Sequence, residues 1–336
     1  MRKGLPIAAA VAAFACAEAA AEPMELKLGI WTQAQHPVNT QVMVPWINAV
    51  NAASKGTIKI VWYPGVTLGD VGTIYDNVKN GVADIGWILP AVVRGKFART
   101  LVVTLPFITD NATSEQVSIA VWRVYAKGLL DAEYDEVKPL AINQVPPAVI
   151  HSRSPIAKMD DLKGKRFQTG NPLNAQLLAS LGGVPASVML PEIYQALSRG
   201  TIDGTLLPWF GVQPYRVHEV TSHHLDVEFG GGGTIVAINA NVLAKLPQDA
   251  KAALDAHSGE RLSRGVGIAY DRSTAYARGE IAKLPNRTVA KLDAAETARW
   301  REKNEPIVQA WPRQVPNGAA VLAAFKEALA AARAAR

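Results

Sequence analysis

Cysteine is nearly absent from this 336-residue chain, which has one, Cys16. It falls in an N-terminal segment that reads as a cleaved leader, so the mature chain is expected to hold no thiol. Disulfides, cysteine-ligated zinc and a cysteine nucleophile are thereby excluded. Catalytic signatures are missing as well: there is no H-E-x-x-H, no P-loop, no G-x-S-x-G and no G-x-G-x-x-G following a strand. Beyond the first residues no apolar run approaches the roughly 20 residues a membrane helix needs. Histidines are few, and the only adjacent pair, His223-His224, has no carboxylate at a ligand spacing. Neighbours in an extended chain point to opposite sides, so this pair reads as a solvated loop, and no metal or cofactor is expected. Lys and Arg exceed Asp and Glu, 35 to 29, for a pI near 9.3. They are scattered among the acids rather than gathered into a stripe, which argues against nucleic acid as a partner.

The leader has three parts. Met1-Arg2-Lys3 is a positive start, Leu5 to Cys16 an Ala-rich apolar run, and Ala19-Ala20-Ala21 before Glu22 an A-x-A cleavage pattern. This is the pattern of a secretory signal over residues 1–21, and it places the mature chain beyond the inner membrane. Hydrophobic residues at 49% and charged ones at 19% then describe an ordinary chain with a core.

One pattern occurs twice. Thr73 to Pro90 contains Ile74, Tyr75, Gly81 and Asp84, and Leu190 to Trp209 contains Ile193, Tyr194, Gly200 and Asp203, with the same spacing. Each copy reads as a helix ended by a left-handed Gly and followed by a short apolar strand. Asp84 and Asp203, just after the capping Gly, read as local turn acceptors rather than as a general acid/base pair, and the two tyrosines as staples of helix to sheet. Two such units far apart predict two similar α/β lobes, and open α/β sheets bind ligands beyond the carboxyl ends of their strands.

The remaining chain fits. Met24–Thr32 alternates like a strand, Gln33 to Pro37 is a polar loop before a helix, and Ile58–Tyr63 is a second strand. Asn171 and Pro172 form a helix start, with Asn171 as the N-cap. Gly230 to Gly233 is read as a mobile crossing between lobes. Residues 247–283 are helical almost throughout, with bends expected at Gly259, Gly265 and Gly267, and two Ala-rich helices finish the chain. The fold class is therefore α/β, with mixed, mostly parallel sheets flanked by helices. Lobe I is assigned residues 22–145 plus about 234–265, and lobe II residues 146–233 plus about 266–336 with the C-terminal helices.

A set of short motifs also resembles a family. His36-Pro37, Trp46, the strand Gly56-Thr57-Ile58-Lys59-Ile60, Tyr63-Pro64, Leu68-Gly69-Asp70, Gly81-Val82-Ala83-Asp84, Leu105-Pro106-Phe107, Asp161-Leu162-Lys163-Gly164, Glu192-Ile193-Tyr194-Gln195-Ala196-Leu197 and Gly200-Thr201-Ile202-Asp203-Gly204 occur in order. They are similar to the solute receptors of tripartite ATP-independent periplasmic (TRAP) transporters. The resemblance implies a two-lobed, Venus-flytrap binding protein of the periplasm with one long helix spanning both lobes. It implies a monomer that delivers a small-molecule ligand to integral membrane permease subunits driven by an ion gradient, and no enzymatic activity. It also implies an Arg that pairs with the ligand carboxylate, on the strand after the D-L-K-G turn.

Here the chain departs from that pattern. The slot holds Gln168, with Arg166 two residues back, no Arg lies in Pro147 to His151, and Leu206-Leu207 stands where polar residues precede Pro-Trp. A desolvated carboxylate facing only Gln would lose more than it gained, so a small dicarboxylate is disfavoured and a solute with an apolar or aromatic body, acidic or neutral, is expected. The candidate binding residues are Gln33, His36, Gln168 and Asn171 for polar atoms and Trp87, Trp209 and Phe210 for flat walls. His36, if it titrates near neutrality, would supply the missing positive charge. The alternatives are a ligand-presenting subunit of a sensor, or a lyase or hydrolase using His36 with Asp84.

Overall fold

The computed structural model describes residues 22–109 and 111–335, so the leader, with Cys16, lies outside the described residues. Strand β1 (Met24–Ile30) opens the chain with Leu26, Leu28 and Ile30 on one buried face. A π-turn (Asn39–Met43) leads into α1 (Val44–Ala53), followed by β2 (Ile58–Pro64), α2 (Ile74–Lys79) and β3 (Ile85–Ile88). Helix α3 (Ser114–Ala126) begins at a Thr113/Gln116 capping box, and β4 (Val137–Val145) and β5 (Val149–Ser152) follow across the lobe boundary.

The second half repeats the plan. It runs β6 (Arg166–Gln168), α4 (Pro172–Ser180), β7 (Val184–Ala186), α5 (Ile193–Ser198), β8 (Gly204–Leu207), α6 (Trp209–Val212), α7 (Val217–Val220) and β9 (His223–Leu225). The chain returns through β10 (Gly232–Asn239), α8 (Ala240–Lys245), α9 (Gln248–His257) and α10 (Glu260–Ala282). It ends with β11 (Thr288–Ala290), α11 (Ala294–Gln314) and α12 (Gly318–Ala334). Two sheets result, β2-β1-β3-β10-β4 in lobe I and β11-β9-β5-β8-β6-β7 in lobe II. In each, one strand runs antiparallel to both neighbours: β10 in the first and β5 in the second.

The duplicated unit is built the same way in both lobes. Gly81 and Gly200 take φ of 78° and 70°, which a residue with a Cβ resists, and end α2 and α5. Asp84 exchanges two bonds with β1, accepting from Lys27 N at 2.7 Å while its own N–H donates to Lys27 O at 2.9 Å. Asp203 does the same with Arg166 of β6, at 2.7 Å each. The carboxylates are thus not local turn acceptors, as the spacing implied. Each extends a parallel ladder by one bond at the start of the neighbouring strand. Asp84→Ala and Asp203→Ala are each expected to lower stability by about 1–3 kcal/mol, since an exposed or half-buried N–H loses a charged partner. Denaturant unfolding of the two variants measures this, and midpoints equal to the parent would contradict it.

Four segments of the described chain join the lobes, the last of them the junction of α11 with α12. The chain from β4 to β5 and the chain from β9 to β10 cross side by side, bonded to each other through Ala148 N to Gly230 O and Phe229 N to Ala148 O, at 3.2 and 3.1 Å. The third is α10, 23 residues without a break and about 34 Å long at 1.5 Å per residue. It touches α3 and β4 on one side and α6 on the other. The bends expected at Gly265 and Gly267 do not occur. Gly267 instead lets α10 press on the backbone of α3, where a Cβ would lie 2.6 Å from Ser114 O and Glu115 N. One turn on, Asp271 accepts from the N–H groups of Ser114 and Glu115 at 2.7 and 3.0 Å, which ties the long helix to the start of α3.

The glycine run needs correcting too. Gly232 and Gly233 are paired in β10, and a Cβ at Gly230 would be driven into the Thr104 carbonyl. Close approach of backbones, rather than mobility, is what calls for glycine there. The C-terminal helices divide between the lobes. Helix α11 packs on α4 and buries Trp300 in the lobe II core. Helix α12 was assigned to lobe II, but its Val321, Phe325, Ala328 and Leu329 close the lobe I core against α3. Its apolar stripe needed an apolar partner, and α3 offers one.

Candidate functional site

The loop after β1 carries the first site residues. Asn39 donates to Thr32 Oγ1 and to Gln33 O at 3.0 and 2.8 Å, which closes residues 32–39 into a compact turn. Gln33 serves this turn through its carbonyl while its side chain is exposed. His36 projects from the turn into a group of rings. Its centroid lies 6.2 Å from Trp87, 6.2 Å from Phe210 and 6.5 Å from Tyr270, with edge-on geometry in each case. Trp31 adds a fifth ring 6.4 Å from Trp87, and Phe210 tilts on Tyr270 at 5.0 Å. Trp31, His36 and Trp87 come from lobe I, Phe210 from lobe II and Tyr270 from α10, so one aromatic cluster bridges the lobes. His36 and Phe210 also line an open crevice of about 820 Å³, with Arg272 of α10 as its cation and no carboxylate in its lining.

His36 does not supply a positive charge. Burial lowers its pKa to about 4, so the ring is neutral at neutral pH. The Val38 N–H donates to its Nδ1 at 3.3 Å, so the proton of the neutral ring is on Nε2, which is a donor. Other polar atoms gather beside the cluster. Tyr270 bonds Thr234, and Thr234 accepts from Asn143 Nδ2 at 2.5 Å. The indole N–H groups of Trp31 and Trp87 and the Asn143 Oδ1 are buried with no hydrogen-bond partner among the described residues.

In lobe II a polar row crosses the sheet. Gln168 of β6 stands opposite Thr205 of β8, which is opposite His151 of β5, which is opposite His224 of β9. Residues facing each other across a ladder project to one side, so all four share a face. All are buried, Gln168 at 2% and His224 at 1% exposure. Thr205 donates to Gln168 Oε1 at 2.5 Å. Arg166, the other candidate for the carboxylate-binding slot, is exposed at the far end of the strand and bonds Gly200 O. Asn171 caps α4 by accepting from Asn174 N at 2.8 Å, the ordinary role its position implied.

The histidine pair is the largest departure from expectation. His224 is not in a solvated loop. It is a buried strand residue whose Nδ1 lies 2.8 Å from His151 Nδ1, while His223 points the other way and bonds Thr288. His151 Nε2 lies 3.0 Å from the Leu207 carbonyl, which only accepts, so this nitrogen carries the proton. His151 Nδ1 is then an acceptor, His224 Nδ1–H donates to it, and His224 Nε2 is a bare lone pair. That last atom is buried without a partner among the described residues. Burial lowers the pKa of His151 well below the usual value and that of His224 to about 4. Trp209 covers both rings, at 5.0 and 5.5 Å, and its Nε1 donates to Asp226, which also pairs with Arg278 of α10. Trp209 is thus the lid of this pair, held by its own hydrogen bond, and it also lines a cavity of about 320 Å³ beside Asp226.

The structure therefore gathers His36, Trp87 and Phe210, places Gln168 in a separate buried row with Thr205, and leaves Gln33 and Asn171 in backbone-holding roles. Sequence reasoning missed Trp31, Tyr270, Thr205 and His151. The spacing repeat hinted at Thr205, which falls in the second copy two residues after Asp203.

Solved structures that share this shape include solute receptors. Residues 28–314 match the family described as bacterial extracellular solute-binding protein, family 7 (DctP). The outer membrane transporter protein TsaT of Comamonas testosteroni is 26% identical over 323 residues, 92% of this chain and 91% of its own. A TRAP solute-binding protein of Rhodoferax ferrireducens T118, with copurified benzoate, superposes with TM-score 0.83 at 28% identity, covering 93% of this chain and 99% of that one. A TRAP periplasmic solute-binding protein of Bordetella bronchiseptica, with bound mandelate, does so with TM-score 0.82 at 26% identity, covering 92% and 99%. With the family model matched over residues 28–314 and the fold shared with these two structures over more than nine-tenths of its length, this chain belongs to family 7 of the bacterial extracellular solute-binding proteins, the solute receptors of TRAP transporters.

Proposed function

We propose that this receptor captures an aromatic monocarboxylate beyond the inner membrane and hands it to an ion-gradient-driven permease, without ATP hydrolysis. The observation that carries the reading is the aromatic cluster shared by both lobes, with neutral donors set in it. Rings contributed by each half close on a flat solute from two sides, and stacked or edge-on ring pairs contribute about 0.5–1.5 kcal/mol each beyond simple burial. His36 Nε2–H and the Trp31 and Trp87 indoles offer donors to one carboxylate from the cluster, and in this reading the Gln168 amide adds a donor from the separate lobe II row. Arg272, at the crevice, draws an anion inward without being buried against it. The uncharged Gln168 counts against a second carboxylate, which would need its own buried cation. The relatives that hold benzoate and mandelate agree with this reading.

Ligand binds between the lobes and favours the closed state by its differential affinity for it. Phe210 is attached to lobe II and His36 to lobe I, so their edge contact forms only when the lobes meet. Titration calorimetry over benzoate, mandelate, benzamide, succinate and malate tests the assignment. The aromatic acids are expected to bind in the micromolar range or tighter with a negative heat-capacity change, and the dicarboxylates at least a hundredfold more weakly. Nanomolar succinate or malate binding would overturn it, and tighter benzamide than benzoate binding would favour a neutral solute.

A further inference from the structure

We infer that Thr205 is a positioning residue for ligand selection, because its hydroxyl fixes which end of the Gln168 amide is offered to the solute. The inference rests on the proposed aromatic-acid site. A glutamine amide has a donor end and an acceptor end of nearly the same shape, and a half-turn about its last torsion exchanges them. In an isolated pocket the ligand would choose. Here Thr205 makes the choice beforehand.

The hydroxyl proton of Thr205 sets the sense of the amide. Thr205 is fully buried, and a buried donor is nearly always paired. Its neighbours across the sheet cannot take that proton. His151 Nδ1 receives the His224 proton, and His151 Nε2 donates to Leu207 O. Gln168 Oε1, at 2.5 Å, is the acceptor of the Thr205 hydroxyl. Were the amide reversed, its N–H would donate to Thr205 Oγ1, and the buried hydroxyl hydrogen would lose the acceptor it has in Gln168 Oε1. The carbonyl end of Gln168 is therefore spoken for, and its two amide hydrogens are what remain for a ligand. Gln168 then discriminates as a donor-only group and favours solutes that present oxygen lone pairs. Arg in the same slot would also be donor-only, so Gln168 with Thr205 keeps the hydrogen-bonding sense of a guanidinium without its charge.

Thr205→Val keeps the shape and removes the hydroxyl, while Thr205→Ser keeps the hydroxyl. The measurement is the ratio of benzamide to benzoate dissociation constants, since benzamide replaces one carboxylate oxygen by a donor. In Thr205→Val the amide is free to turn its carbonyl to benzamide, and the preference for benzoate is expected to fall at least tenfold. In Thr205→Ser it is expected to stay within about threefold of the parent. A merely structural role for Thr205 would weaken both ligands together and leave the ratio unchanged, which overturns the inference while leaving the aromatic-acid reading intact. A parent protein that binds neither ligand overturns that reading and this inference with it.

Discussion

Between pH 6.5 and about 4 the unfolding free energy of this protein is expected to fall by ~3 kcal/mol or more through its buried histidines. His224 is the clearest contributor. Its pKa drops from 6.5 to about 4 on folding, chiefly through burial, with the nearby Arg287 and the electrostatics of His223 and His218 acting in the same direction. His36 moves to about 4 as well, and His151 shifts the same way. These rings are neutral in the native state, so above pH 6.5 neither state binds a proton and nothing is lost. As pH falls below 6.5 the unfolded chain takes up protons that the native chain refuses, and stability falls until the native rings also titrate. The geometry gives the reason for the refusal. A proton on His151 Nδ1 would face the Nδ1–H of His224, donor against donor, and a proton on His224 Nε2 would place a charge under Trp209. Asp226, the carboxylate bonded to that lid, is already engaged by the Trp209 indole and by Arg278. Urea unfolding at stepped pH measures the effect, and His224→Gln is expected to flatten the slope. An unfolding free energy constant across the window would contradict the burial and contact of this pair.

The second large effect lies at the crossing. Gly230→Ala is expected to cost roughly 2–5 kcal/mol, adding about 1–2 for a Cβ in the left-handed region to about 1–3 for overpacking. Both causes are local to Gly230, which has φ of 84° and lies against the Thr104 backbone, a neighbour with no flexible end to move aside. Ligand affinity should change too, because this residue accepts the bond from Ala148 that holds the two crossing strands together. Gly279→Ala is the control. It lies in α10 with nothing within 4 Å of a new Cβ, so it should raise stability by roughly 0.5–1 kcal/mol. Equal melting points for Gly230→Ala and the parent would mean that the crossing is not closely packed.

How much could be read in advance follows the range of the interactions. The duplicated unit was legible because helix, left-handed glycine and strand are settled within about 15 residues, so Ile74, Gly81 and Asp84 carry the signal themselves. Gln168 could be located because the turn before it is local. Its partner could not, since Thr205 is 37 residues away and meets it only across a parallel ladder. Local polarity misled at His224, where nothing nearby in sequence tells of a lid supplied by Trp209 or of a partner 73 residues distant.

The amino-acid sequence by itself determined the two-lobed plan, the places where strands give way to loops, and the uncharged side chain at position 168. Each of these depends on residue type and short spacing, through backbone sterics and apolar periodicity. Tertiary structure alone decided that His36 is neutral, that His151 and His224 share a proton-refusing contact, that Thr205 orients Gln168, and that α12 serves lobe I. Those outcomes depend on which distant groups are brought together and how completely water is excluded from between them, and desolvation and pairing are properties of the packed molecule.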